Sequence, residues 1–175
     1  ALEKDKDNPQ LIFESMNSTG LDLSQADLIR NYVLMGQKID LQTELYEKYW
    51  FPMEQTYGND YASTFDWFIR DYLSVKMGAI PKIGKVYEEF KNYVQGSKSP
   101  DSITEIVADI AKYSKFYVNM VLRKEADKDL NRLFANISKL KVDVSYPFIL
   151  AVYADYDNGI ISKEEFAEIL KLVEN

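Results

Sequence analysis

Apolar residues recur at every third or fourth position along most of this chain, which is the spacing of one buried face of an α-helix. The stretch from 127 to 140 shows the pattern clearly through Leu130, Leu133, Phe134 and Ile137. Alternation of period two is scarce, and the run at 142–144 is too short to predict a strand. The pattern therefore predicts an all-α, multi-helix bundle of about nine helices with short connections.

Capping residues, glycines and prolines mark the predicted helix boundaries. Ser24 and Ser162 are each followed three positions later by an acid, Asp27 or Glu165, which is the arrangement of a capping box. Gly36 and Gly78 are predicted to end helices in the left-handed conformation, and Pro52 is expected to kink or interrupt a helix. The predicted helix starts are Asn8, Ser24, Asp40, Asn59 or Asp60, Pro81, Ser99, Asp127 and Ser162, with a further, central helix around Pro147.

The composition excludes several classes of chemistry. The chain contains no cysteine and no histidine, so disulfides, thiolate zinc sites, Ser-His-Asp triads and histidine-dependent metal nucleases are all excluded. The net charge of −7 predicts weak DNA binding by this stretch alone, because affinity for nucleic acid depends on cations that neutralise phosphates. Because no apolar run reaches the roughly 20 residues of a membrane span, we expect a cytoplasmic protein without a membrane partner.

The acidic residues do not form an evident catalytic pair. Glu88-Glu89, Glu164-Glu165 and the pair Asp66 and Asp71 alternate with lysines at helical spacing, which predicts solvated helix faces. Residues 155–161 are similar to a calcium loop, but the register of that loop would place an alanine and a tyrosine at two ligand positions. We interpret this stretch as a turn and predict neither catalytic residues nor a metal site.

The loop at 16–24 gathers Asn, Ser, Thr, Gly and Asp between apolar residues. A helix end followed by a helix start around a glycine can direct backbone N–H groups at an anion. Three residues apart on the next helix, Asp27 and Arg30 are placed to form an ion pair. Helix caps and a hydrophobic staple explain most of the same residues, so a structural role and an anion-binding role both remain open.

Residues 12–32 resemble a family signature. Every fixed position of the phrase F-E-x-x-N-x-x-G-x-x-L-x-x-x-D-L-I-R/K-N, typical of the GmrSD-type restriction proteins, is filled from Phe13 to Asn31. Weaker likenesses follow at 65–73, 87–91 and 159–166. The resemblance implies that 1–36 is the C-terminal tail of a ParB-like domain and that 37–175 is a helical middle domain, with a possible sub-boundary near 96–99. The chain begins with Ala1, and we expect it to be an excised fragment.

The same resemblance implies what the whole protein does. Family members bind and hydrolyse a nucleoside triphosphate through a D-G-Q-Q-R motif, and many end in a His-Asn-His nuclease; neither is present here. The fragment is therefore expected to be non-catalytic and free of cofactors. The parent is expected to be an NTP-dependent DNA endonuclease of bacterial phage defence, for which a nucleoside triphosphate and a divalent metal are implied. The residues expected to border the nucleotide pocket are Asn17, Thr19, Gly20, Asp27, Arg30 and Asn31.

The expected partners follow from that position inside a larger protein. They are the remaining domains of the parent, modified DNA reached only through the intact parent, and a second copy of the fragment through exposed apolar surface. The alternative interpretation is an independent helical adaptor that binds a partner protein through an apolar groove.

Overall fold

A computed structural model of the chain describes residues 23–96 and 102–175. Throughout these two ranges the regular structure is helical and contains no strand, which confirms the all-α prediction. The α-helices are α1 (Gln25–Leu34), α2 (Ile39–Leu45), α3 (Phe51–Tyr57), α4 (Tyr61–Met77), α5 (Val86–Gly96), α6 (Ile103–Val121), α7 (Lys128–Leu140), α8 (Tyr146–Asp157) and α9 (Lys163–Glu174).

Helical segments follow one another without an intervening loop from α2 to α4, although the backbone turns at Gly58, where φ is +57° and ψ is −128°. A π-helical turn, Tyr46–Trp50, joins α2 to α3, and a 3₁₀ turn, Gly58–Asp60, joins α3 to α4. The described residues form seven helical stretches that are separated by non-helical segments, and the predicted count of about nine is not confirmed. Pro52 is the second residue of α3 and follows the π turn directly, so the α-helical pattern is interrupted beside it although the helical path goes on.

Several predicted caps are confirmed. Ser24 and Ser162 form reciprocal capping boxes with Asp27 and Glu165, and the Asp127 side chain accepts from the first backbone N–H groups of α7. Glycines follow α1 and α4 with positive φ angles, +76° at Gly36 and +72° at Gly78. The turn predicted after α8 is also present, since Gly159 has a φ of +72°. These boundaries depend on residues within one helical turn of each other, which is why the sequence alone predicts them.

Three predicted starts are wrong by one to five residues. α2 begins at Ile39, so Asp40 lies inside its first turn, where an acid is also favourable. Pro81 precedes α5 by five residues, and its carbonyl accepts a hydrogen bond from the Arg70 side chain. The cap of α6 is Ser102, in a box with Glu105. Ser99, the helix predicted at Asn8 and most of the 96–99 boundary lie outside the described residues.

α4 lies at the centre of the bundle. It packs against α1, α3, α5, α6 and α8, and five of its apolar side chains are fully buried. α8 packs against α4, α6 and α9, as expected of a central helix, although its Phe148 is 54% exposed. α9 in turn packs against α7. The buried side chains of α4 are Phe65, Phe68, Ile69, Tyr72 and Leu73.

The N-terminus of α1 is held by side-chain contacts from distant parts of the chain. The Asp66 carboxylate accepts hydrogen bonds from the backbone N–H groups of Gln25 at 3.2 Å and Ala26 at 2.7 Å. The Gln25 side-chain oxygen accepts from the Tyr87 backbone N–H at 2.8 Å. The prediction that Asp66 belongs to a solvated face is therefore wrong, because the unpaired N–H groups of a helix start favour a carboxylate beside them.

Replacing Asp66 with alanine is expected to lower the free energy of unfolding by about 1–2 kcal/mol, the usual effect of losing a helix cap. Urea unfolding followed by circular dichroism measures this change. Glu44→Ala, at an exposed position of α2, is the matched control and should stay within about 0.5 kcal/mol of the unaltered chain. Equal stability of the Asp66 variant and the control would show that the Asp66 contacts add nothing to the fold.

Candidate functional site

The described part of the family motif lies on α1, where Asp27 and Arg30 form the predicted ion pair. The Arg30 guanidinium is 3.5 Å from the Asp27 carboxylate and 3.1 Å from the carboxylate of Glu54 on α3. All three side chains are largely shielded from solvent. Arg30 therefore connects the motif helix to the next part of the bundle.

Asn31 lies one position further along α1 and is buried, with 4% of its surface exposed. Its side-chain nitrogen has no hydrogen-bond partner among the described residues. The other predicted pocket residues, Asn17, Thr19 and Gly20, lie outside the described residues. The structure thus places Asp27, Arg30 and Asn31 on one short helix, and the nucleotide pocket that they are expected to border stays a prediction.

A separate cavity of about 460 Å³ opens between α4, α6 and the start of α8. None of the motif residues that the structure describes lines it. One wall comes from α4, a second from α6, and a third from the 3₁₀ turn Asp143–Ser145 together with the first residues of α8. The lining residues are Ser63, Thr64, Trp67, Arg70, Asp71, Ile80, Tyr117, Val121, Asp143, Val144, Tyr146 and Pro147.

Arg70 is held in place by three neighbours. Its Nε donates a hydrogen bond to the Pro81 carbonyl at 3.0 Å, and its guanidinium carbon lies 5.3 Å from the centre of the Trp67 ring. A terminal nitrogen is 3.6 Å from Oδ1 of Asp71. The cation is thus already engaged by a carbonyl, an aromatic face and a carboxylate.

Asp71 is the most unusual group of this cavity, since only 2% of its surface is exposed. Burial raises the pKa of its carboxyl to about 7, although Arg70 and a hydrogen bond with the Tyr117 side chain act to lower it, and the negative charge of Asp143 raises it further. Oδ1 has no hydrogen-bond partner within residues 23–96 and 102–175. The prediction of a solvated Asp71 is wrong, because its position on α4 faces the packed side of α6.

The remaining walls combine phenols with apolar groups. Burial raises the pKa of Tyr117 and of Tyr146, so both hydroxyls stay protonated at neutral pH and can donate hydrogen bonds. At the mouth, Trp67 is 46% exposed and Val144 is 79% exposed, and Ile80 is exposed as well. The cavity therefore has a polar floor and an apolar rim, which is the composition of a small-ligand pocket.

No protein-family model, curated protein or solved structure matches this chain. The likeness to the GmrSD-type restriction proteins accordingly depends on the sequence motif alone. Within the described ranges, no three acidic side chains are grouped so that they could hold a metal ion. No helix in the same ranges has both the length and the apolar character needed to cross a bilayer.

Sequence reasoning missed the cavity, although one signal was available. Asp71 sits within the most apolar helix of the first half of the chain, among Phe68, Ile69, Tyr72 and Leu73. A charged residue flanked so closely by buried positions indicates a buried charge, and buried charges concentrate at functional sites. The partners of Asp71 could not be inferred in this way, since Tyr117 and Asp143 are more than forty residues away in sequence.

Proposed function

We propose that this chain is a non-catalytic helical segment of a GmrSD-type, modification-dependent restriction protein, and that it links an NTP-sensing ParB-like module to a nuclease module. The observation that carries the proposal is the motif from Phe13 to Asn31, in which every fixed position of the family phrase is filled. In this proposal the parent is a cytoplasmic bacterial defence protein that supplies the nucleotide, the divalent metal and the contact with modified DNA.

The contacts of α1 support a linking role. This helix contains the end of the motif, and three connections attach it to the bundle: Asp66 to its first N–H groups, Gln25 to Tyr87, and Arg30 to Glu54. A displacement of the segment that precedes α1 would therefore be transmitted to α3, α4 and α5. Rigid connections of this kind are what a helical element needs if it is to relay a conformational change between two modules.

The proposed domain boundary at residue 36 falls at a turn of the chain, and the contacts of α1 cross it. Residues 1–36 would form the tail of the ParB-like domain, and Gly36, with its positive φ, is the point at which the chain turns from α1 toward α2. Residues 37–175 would be the helical middle domain. Asp27 and Arg30 would then support the nucleotide pocket, and Asn31 would contribute a buried amide on the same helix.

Substituting Asn17 with alanine in the intact parent protein is expected to reduce nucleotide hydrolysis at least tenfold, because the variant lacks a polar group at the border of the proposed pocket. The measurement is steady-state phosphate release, with thermal unfolding to verify that the variant is folded. Glu44→Ala serves as the control and should leave hydrolysis unchanged. A folded Asn17 variant with normal hydrolysis would refute the assigned role, and a natural reading frame without an upstream D-G-Q-Q-R motif would refute the family assignment.

The second candidate, an independent helical adaptor, is favoured by the exposed apolar side chains of Trp67, Ile80 and Val144. Their side chains surround the mouth of one cavity, and apolar surface of this kind is typical of protein interaction sites. The natural reading frame separates the two candidates. A frame that encodes only this helical segment would favour the adaptor, whereas flanking nucleotide-binding and nuclease regions would favour the restriction protein.

A further inference from the structure

We propose that the cavity between α4, α6 and α8 binds an organic cation, an ammonium or guanidinium group on an apolar stem. Asp71 and Asp143 would receive the cationic group, and the rim formed by Trp67, Ile80 and Val144 would contact the stem. The site does not depend on the family assignment, since no motif residue from 23 to 31 lines the cavity.

One oxygen of the Asp71 carboxyl lacks a hydrogen bond. Oδ1 is buried and has no hydrogen-bond partner among the described residues, although a terminal nitrogen of Arg70 lies 3.6 Å from it, and the carboxyl lines a space large enough for a small ligand. A buried acceptor without a donor is destabilising, so such groups are normally paired with protein or water. A ligand that donates an N–H to this oxygen would satisfy it.

The charges around the cavity favour a cationic ligand. Among the described lining residues, two carboxyl groups, Asp71 and Asp143, face one cation, Arg70. Arg70 is already in contact with the Pro81 carbonyl, the Trp67 ring and Asp71. An anionic ligand would have to displace one of these contacts and approach two acids, within a chain whose net charge is −7. A cationic ligand would instead approach the two carboxyl groups without displacing Arg70 from the Pro81 carbonyl or the Trp67 ring.

The lining and the size of the cavity also suit an organic cation. Tyr117 and Tyr146 line the interior and Trp67 lies at the mouth, and aromatic faces attract ammonium and guanidinium groups. The volume of about 460 Å³ lies in the range of small-ligand pockets. Both a free amine and a basic side chain of a partner peptide have the required chemistry, so the test includes one probe of each kind.

The probes are phenethylamine, its anionic near-isostere 3-phenylpropionate, and the capped peptide Leu-Arg-Leu. The chain contains two tryptophans, Trp50, which is fully buried, and Trp67 at the cavity mouth, so their indole N–H signals in NMR spectra distinguish local binding from general effects. We expect phenethylamine, the peptide or both to shift the Trp67 signal saturably and to leave Trp50 unchanged. Binding of only one of them identifies the source of the cation. Failure of both, or tighter binding of 3-phenylpropionate, would overturn the proposal.

Matched variants test the assigned acceptors. Asp71→Asn is expected to weaken binding of the cationic probe at least tenfold and Asp143→Asn about threefold or more, whereas Glu168→Gln, on the exposed face of α9, should leave the affinity unchanged. If neither aspartate variant weakens binding, the proposal is wrong. Since Asn is close in shape to Asp, a loss of affinity with an unaltered circular dichroism spectrum would reflect the lost charge.

The pH dependence provides an independent check. The groups that face Asp71 are Arg70 on α4, Tyr117 on α6, Asp143 in the 3₁₀ turn before α8, and Tyr146, the first residue of α8. Burial raises the pKa of both tyrosines, so they stay neutral near pH 7. Because the pKa of Asp71 is about 7, we expect the affinity for phenethylamine to rise up to about tenfold from pH 6 to pH 8, and Asp71→Asn to abolish this rise. An unchanged pH profile in that variant would contradict the role of Asp71.

Discussion

Replacing Phe65 with alanine is expected to lower the free energy of unfolding by about 3–5 kcal/mol, the largest single effect that we predict for this chain. Phe65 is fully buried on α4, and its ring lies 4.8 to 5.6 Å from the rings of Tyr61, Tyr57, Phe68 and Trp50. Alanine would leave a cavity in the centre of this aromatic cluster, where the close packing of the neighbouring rings restricts how far they can move.

Urea unfolding at equilibrium measures this loss. Phe148→Ala on α8 is the matched control, because the same side chain is removed from a position that is 54% exposed, and the expected change there is below about 1 kcal/mol. A similar loss in both variants would show that the cluster around Phe65 contributes no more than a partly exposed ring. A Phe65 variant that fails to fold at all would correspond to a loss equal to or larger than the predicted range.

Replacing Asp71 with asparagine is expected to stabilise the fold, and to do so by about 2–3 kcal/mol more at pH 8 than at pH 5. Burial raises the pKa of the folded-state carboxyl from 3.8 to about 7, so the folded protein binds a proton more tightly than the unfolded chain does. The contribution of Asp71 to stability is therefore fully present below pH 3.8 and is lost as the pH rises through about 7. Asparagine has no charge to bury and avoids this loss.

The measurement is the difference in unfolding free energy between variant and unaltered chain at pH 5 and at pH 8, because this double difference cancels the titration of other groups. Asp40→Asn, at an exposed position in the first turn of α2, is the control and should show a difference below about 0.5 kcal/mol between the two pH values. An Asp71 variant whose effect is the same at both pH values would mean that the carboxyl is solvated when folded.

The features that sequence reasoning predicted correctly are those determined within one helical turn. Each helix cap, at Ser24, Ser162 and Asp127, is formed with residues only two or three positions further along the chain. The helical periodicity likewise depends only on which residues lie on the same face of one helix. The predicted cap of α6 was wrong because two nearby serines are both suitable caps. Ser99 was predicted, but Ser102, three positions later, forms the capping box with Glu105.

The features that it missed depend on which helices pack together. Asp66 and Asp71 lie five positions apart on α4 and look alike in the sequence, yet one caps α1 and the other is buried against Tyr117 of α6. Both contacts cross at least forty residues of chain, and no local pattern determines them. The candidate cavity was missed for this reason, because its walls come from three helices that meet only after folding.

The attachment of α1 also has a consequence for biosynthesis. The groups that hold its first turn, the Asp66 carboxylate and the Tyr87 backbone N–H, follow Gln25 by 41 and 62 positions. During translation α1 is therefore synthesised before either partner. A helix of only ten residues is marginal in water by itself. The nascent chain accordingly has to reach α5 before the motif helix can be secured in its final place.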